Sequence, residues 1–170
     1  MHFFQIDNSC FARRIMLYYE LLLIYCLSEA DTDMKVEMHT HTSETSPCAH
    51  ICAQDVIKMY KEARYDTVVI TDHYSKWVFE KNGAKTPDEV TSHFLKGYKT
   101  ALGCAETYDI NVLLGCEVTL TESPNDYLLY GVNEDFFHTH PFLYNLSLEE
   151  LSEICHNENI LIVDRKSTRL

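Results

Sequence analysis

Thr67-Val68-Val69-Ile70-Thr71-Asp72-His73, TVVITDH, decides how the chain is read: five consecutive β-branched residues run straight into an Asp-His pair. A strand of that composition fits the middle of a parallel sheet, buried on both faces. In sheets whose strands are joined by helices, the groups that do chemistry gather at the carboxyl ends of the strands. The rest of the sequence must show whether other strands deliver similar side chains to the same rim.

Upstream, Lys35 to His39 reads as a short strand that ends in His39-Thr40-His41. On an extended backbone residues i and i+2 share a face, so the two imidazoles can meet at one point. Ala53 to Arg64 is expected to be a helix, with Val56, Tyr60 and Ala63 at helical spacing. Thr86-Pro87-Asp88-Glu89 supplies a cap, a first-turn proline and an N3 glutamate, and Val90, Phe94, Tyr98, Ala101 and Ala105 follow as one apolar stripe. Asn111 to Leu120 and Tyr127 to Val132 read as strands, the first carrying Gly115-Cys116-Glu117. Asp135 to Tyr144 reads as irregular and aromatic-rich. Ser147-Leu148-Glu149-Glu150 is a second capping box, opening a helix to about His156, and Ile160 to Val163 reads as another buried strand. This alternation predicts an α/β fold built on a parallel sheet or barrel.

Composition narrows the function. With 170 residues and a 46% hydrophobic fraction the chain can bury the core of one domain. Asp plus Glu outnumber Lys plus Arg by 26 to 14, a formal charge of −12, which disfavours non-specific binding to nucleic acid or to an anionic membrane. A phosphorylated substrate would need local positive charge, and bound divalent ions would provide it. Seven cysteines, an odd number without a disulfide-like spacing, point to a reducing cytoplasm. Cys48 and Cys52 with His50 between them resemble half of a zinc clip, but no second Cys/His pair follows at finger spacing. Residues 1–33 read as an N-terminal extension: Arg13-Arg14 precede the apolar run 15–27, which Glu20 interrupts and which is shorter than the ~20 residues of a membrane span. The domain proper is expected to begin at Met34.

The polar residues at the strand ends carry the chemistry. Each has an ordinary structural alternative: Thr71-Asp72 can cap the next segment, a lone His after a strand is commonly a surface residue, and Glu117 can face solvent. Together, His39, His41, His73 and Glu117 form a mixed nitrogen and oxygen set suited to Zn²⁺, Mn²⁺ or Fe²⁺, whereas calcium favours oxygens alone. A bridging carboxylate permits more than one ion, and paired ions about 3.5–4 Å apart clamp a transferring phosphoryl group. No G-x-S-x-G, Walker A or G-x-G-x-x-G motif competes.

MHTHT (38–42), VVITDHYS (68–75) and LLGCEVTL (113–120), in that order, resemble the H-x-H, T-D-H and G-x-E motifs of the PHP family, the polymerase and histidinol phosphatase domain. The resemblance covers residues 34–163. It implies a seven-stranded distorted β/α barrel, a cluster of two or three divalent ions (Mn, Zn or Fe), and a phosphoesterase acting on phosphomonoesters or nucleotide ends. Its substrate would be a phosphorylated small molecule or nucleotide. Carried over by position, His39 and His41 would hold the first metal, His73 another, and Glu117 would bridge. Asp72 would serve catalysis by orienting a ligand or a metal-bound water. Glu44 matches the further ligand that the family places after H-x-H, with His50 as its substitute.

The sequence also departs from that pattern. After the strand at Ile160 to Val163 the family continues with a small residue, His-Pro and an aromatic, then with further β/α units and a late ligand pair. Here residues 164–170 are an atypical basic tail. His138-Thr139-His140-Pro141 precedes the capped helix and reads as loop. The resemblance therefore implies an incomplete, truncated barrel over 34–163. Two alternatives stay open: a non-catalytic remnant that binds a metal or a partner chain, and an amidohydrolase-type metal hydrolase, against which the T-D-H after the second strand argues.

Overall fold

The computed structural model describes residues 34–165. The expectations for the extension at 1–33 and for the tail beyond Arg165 lie outside the described residues. Six strands and five helices are described: β1 (Val36–Thr40), α1 (Ala53–Glu62), β2 (Thr67–Ile70), β3 (His73–Ser75), α2 (Lys76–Asn82), α3 (Pro87–Tyr108), β4 (Asn111–Thr119), β5 (Asp126–Tyr130), α4 (Glu134–Thr139), α5 (Leu148–Glu158) and β6 (Leu161–Asp164), with a 3₁₀ turn at Leu143–Asn145. None of the described helices is long and apolar enough to cross a membrane.

The strands form one curled sheet in the order β1-β2-β4-β5-β6, with β3 also beside β4. All four residues of β2 are buried, as their β-branched run requires. β4 lies parallel to β2 over Asn111–Leu114 and to β3 over Glu117–Thr119. Thr67 pairs with Asn111 and His73 with Glu117, so one register continues across both strands. β2 and β3 are therefore one strand interrupted at Thr71-Asp72, where Asp72 O still accepts from Glu117 N at 3.1 Å.

The all-parallel expectation is corrected at β5, which is antiparallel to both β4 and β6. A parallel return needs a crossover of a dozen or more residues, and the short link between Thr119 and Asp126 permits only a hairpin. The result is an α/β half-barrel of mixed strand direction. Of the strand expected to be buried at Ile160 to Val163, only Ile160 is: β6 ends the described sheet and Leu161 to Asp164 are exposed or half-buried.

Helices cover one face. Thr86 and Glu89 make the reciprocal capping box of α3, and Ser147 and Glu150 that of α5. Phe94 and Leu95 of α3 pack with Tyr74, Phe79, Cys116, Val118, Leu129, Phe137 and Leu151 in the larger core, while Ala101 joins Ala53, Ile57, Val68 and Ile70 in a second cluster. The segment expected to be irregular, 135–144, holds α4, whose Phe136 and Phe137 are buried; Asn133 caps it by accepting a hydrogen bond from Phe136 N.

Candidate metal centre

The interruption in the β2–β3 strand builds the site. Asp72 is buried, and its Oδ1 accepts from Thr42 N at 2.7 Å and from Ser46 Oγ at 2.6 Å, while Oδ2 accepts from Thr42 Oγ1 at 2.6 Å. These bonds staple the loop that follows β1 onto the break. The loop can lie this close only because helix α3 presents Gly97 to it: a Cβ there would fall 1.9 Å from Thr42 Oγ1 and 2.5 Å from Asp72 Oδ2. Gly115 does the same from β4, where a Cβ would meet Thr71 Cγ2 at 2.7 Å and Val69 Cγ1 at 2.9 Å. That close approach is a physical reason for glycine in the G-x-E stretch, and two residues on, along the same face, Glu117 projects into the centre.

Glu117 is fully buried. Its Oε2 lies 3.6 Å from His39 Nε2, 3.1 Å from His41 Nε2 and 3.3 Å from His73 Nδ1. The His39 and His41 Nε2 atoms are 2.9 Å apart, and the His41 and His73 rings stack with centroids at 4.5 Å. Arg165 Nη1 stands 2.8 Å from the other oxygen, Oε1, and 3.3 Å from Asp126 Oδ2. Despite this company neither oxygen of Glu117 receives a well-directed hydrogen bond. A buried carboxylate without hydrogen bonds, facing three imidazole nitrogens, is a donor set that a divalent cation would satisfy. His39, His41 and Glu117 form one group able to hold an ion, and His41, Cys48 and His73 form another.

The local electrostatics suit ligation. Burial lowers the pKa of His39 and of His73, against the attraction of Glu117, so both rings favour the neutral form that binds metals. Burial pushes the Glu117 carboxyl up, but the close approach of His41 and the electrostatic attraction of the His73, His39 and His41 rings outweigh it, and the net shift is downward. Burial raises Asp72, although bonds from Ser46 and Thr42 oppose it.

The other residues expected here are distributed differently. Glu44 does not join the centre: both its oxygens accept from Ala53 N at 3.0 Å, capping α1, whose N-cap residue Cys52 makes no side-chain cap. Asp72, expected to orient a ligand rather than to hold the ion, accepts from Ser46, whose hydroxyl oxygen lies 3.2 Å from His41 Nδ1. His50 is exposed, and His140 pairs with Glu158 at 2.6 Å. Sequence reasoning missed Ser46, Gly97 and Arg165, and it set Cys48 aside. A glycine inside an amphipathic helix, at about 1 kcal/mol relative to alanine, was the available signal for Gly97. A cavity of about 340 Å³ adjoins the centre, lined by Cys48, His73, Ser75, Trp77, Lys81 and Thr119 among others.

The sequence profile described as the PHP domain matches residues 37–166. No curated protein matches the chain. Among solved structures, a two-domain protein from Bacteroides vulgatus ATCC 8482 containing a predicted PHP-like metal-dependent phosphoesterase superposes with a TM-score of 0.55 at 12% identity, over 76% of this chain and 34% of that one. A protein from Bifidobacterium adolescentis ATCC 15703, provisionally named a metal-dependent phosphoesterase, gives 0.40 at 17% identity over 58% and 28%. An amidohydrolase from Chromobacterium violaceum with bound sulfate and no metal gives 0.39 at 19% over 56% and 26%. The chain spans about a third or less of the length of these structures.

Proposed function

The chain belongs to the PHP domain family, and from that premise we propose that it is a metal-dependent phosphoesterase acting on phosphomonoesters or nucleotide ends, its six described strands forming part of a seven-stranded barrel. The observation that carries this reading is the unsatisfied, buried Glu117 carboxylate within 3.1–3.6 Å of three imidazole nitrogens. His39, His41, His73 and Glu117 would hold the metal, zinc, manganese or iron, at one or more positions. When bound, the metal supplies Lewis acidity toward a phosphoryl oxygen and an activated water.

The chain's own residues do the positioning. Ser46 gives its proton to Asp72 and so presents only lone pairs to His41 Nδ1, 3.2 Å away; that nitrogen must carry the ring proton, leaving Nε2 free to ligate. The adjoining cavity suits the leaving group, with Trp77 offering an aromatic face and Lys81, stacked 4.8 Å over that ring, a positive charge. The acidic chain as a whole favours neither membrane nor non-specific nucleic-acid binding. The described cysteines are free thiols, which supports a cytoplasmic setting.

A second reading has its own observation. Arg165 already supplies a positive charge to Glu117 Oε1, and the two ligand groups overlap at His41, features of a domain that binds an ion but turns over slowly or not at all. Metal content and hydrolysis of a chromogenic phosphomonoester, measured on the full chain with Mn²⁺ or Zn²⁺, separate the two. Turnover lost in His39→Ala and in Glu117→Ala supports the phosphoesterase; bound metal without turnover supports the binding domain; no bound metal sinks both.

A further inference from the structure

We propose that Cys48 is a thiolate ligand of the metal centre, completing with His41 and His73 a position that prefers zinc to manganese or magnesium. The proposal rests on the metal-binding reading above and adds to it a ligand and a selectivity.

The placement is built by the loop. Ala49 N donates to Ser46 O at 3.0 Å, so Ser46-Pro47-Cys48-Ala49 is a closed turn with proline at its second position, where its fixed φ is favoured. Ser46 anchors that turn by donating to buried Asp72 and by accepting from His73 N at 2.9 Å. Cys48 is thus fixed to the two residues that precede and contain its partner imidazole. Its Sγ and the ligand atoms of His41 and His73 all lie within 4.8 Å of one another. A tetrahedral zinc with bonds of about 2.0–2.1 Å to nitrogen and 2.3 Å to sulfur needs neighbouring ligands about 3.3–3.6 Å apart, and Cys48, exposed, can close the difference by side-chain rotation.

Two further observations separate this from a surface cysteine beside two histidines. Glu117, buried and without a hydrogen bond, aims Oε2 at the same imidazoles, 3.1 Å from His41 and 3.3 Å from His73. Cys52, the other half of the C-x3-C pair, turns away and gives its thiol to Asp55 at 3.3 Å, so the two cysteines do not form a clip. Sulfur is a soft donor that zinc, cobalt and iron accept and that magnesium and manganese avoid. With a thiolate at one position, the centre discriminates among metals that a His/Glu set alone would accept.

The test loads the full chain with Co²⁺ and records its absorption. Wild type is expected to show a sulfur-to-cobalt charge-transfer band in the near ultraviolet beside the visible ligand-field bands. Cys48→Ser should lose the first and keep the second, with zinc affinity reduced at least about tenfold, and Cys52→Ser should change neither. Ligand-field bands without a charge-transfer band in wild type would overturn the Cys48 assignment and leave the imidazole centre standing, as would a band that persists in Cys48→Ser. Absence of cobalt binding would overturn both. X-ray absorption at the zinc edge of the unmutated chain does not depend on the folding of any variant: a sulfur shell near ~2.3 Å is expected, and its absence refutes the proposal.

Discussion

Ser46 Oγ lies 2.6 Å from Asp72 Oδ1, and this one bond decides which nitrogen of His41 faces the centre. A hydroxyl has a single proton, and a carboxylate can only accept; once Ser46 has donated to Asp72, it accepts from His73 N and from His41 Nδ1. The relay fixes the His41 tautomer as a directly bonded carboxylate would, one residue further out.

Ser46→Ala therefore removes the acceptor of two donors without touching a metal-facing atom. Metal affinity is expected to fall about 10–100-fold, the usual cost of losing the group behind a ligating histidine, with about 1–3 kcal/mol of stability lost because His73 N is left unpaired. Competition against a chromogenic chelator reads the first and urea unfolding the second. Unchanged affinity would show that the relay does not orient His41.

Two glycines of α3 make a paired prediction. At Gly97 a Cβ would collide with Thr42, which is fully buried and cannot move aside, and with Asp72. Gly97→Ala is expected to cost about 1–3 kcal/mol by overpacking and to weaken metal binding by displacing Asp72. At Gly103 a Cβ meets nothing within 4 Å, so Gly103→Ala should stabilise the same helix by up to about 1 kcal/mol. Thermal unfolding of both variants checks the contrast; equal effects would contradict the close approach.

The metal-free protein should lose stability in acid from the histidines first. Burial lowers His39 and His73, so as the pH falls below about 6.5 the unfolded chain takes up protons that the folded chain still refuses. Their contribution is complete above about pH 6.5 and is lost as the pH falls through the lowered folded values. Glu117, also lowered, holds its share until the pH passes below the ordinary glutamate value of about 4.3. Urea midpoints in chelator across roughly pH 5 to 8 should rise with pH, and zinc should steepen that rise, because its ligands stay unprotonated in the folded protein while the unfolded chain still takes up protons. A flat profile without metal would show that these rings are not held neutral.

Much of this was readable from residue type and spacing. His39 and His41 share a face because the strand alternates, TVVI is buried because β-branched residues fill a central strand, and the boxes at Thr86 and Ser147 cap helices because that chemistry is local. What was not readable depends on partners far along the chain. The antiparallel turn at β5 follows from a link too short to cross over, yet its strand looks like any other. Glu44 and Ser46 are two residues apart in one polar loop, and nothing in their neighbours says that one will cap α1 while the other will hold His41. β3 is too short to show a period, and Arg165 reaches Glu117 across 48 residues of sequence, an encounter that only the pairing of β6 with β5 arranges.

That encounter supplies the last prediction. A carboxylate as deeply buried as Glu117 needs a counter-charge. Without metal, burial favours the neutral forms of His39 and His73, whereas the Arg165 guanidinium is always charged and sits 2.8 Å from Oε1. In chelator, Arg165→Ala should therefore cost about 1–3 kcal/mol, less than the ~3–5 kcal/mol for breaking a fully buried pair because the Arg165 side chain is 40% exposed. A bound divalent ion on Oε2 would neutralise the same carboxylate, so in saturating zinc the same substitution should cost measurably less. Unfolding of wild type and variant in chelator and in zinc closes a thermodynamic cycle whose coupling is the interaction between guanidinium and ion through Glu117. A cost that is the same in both conditions would mean that the ion does not share this carboxylate with Arg165, and would remove Glu117 from the ligand set.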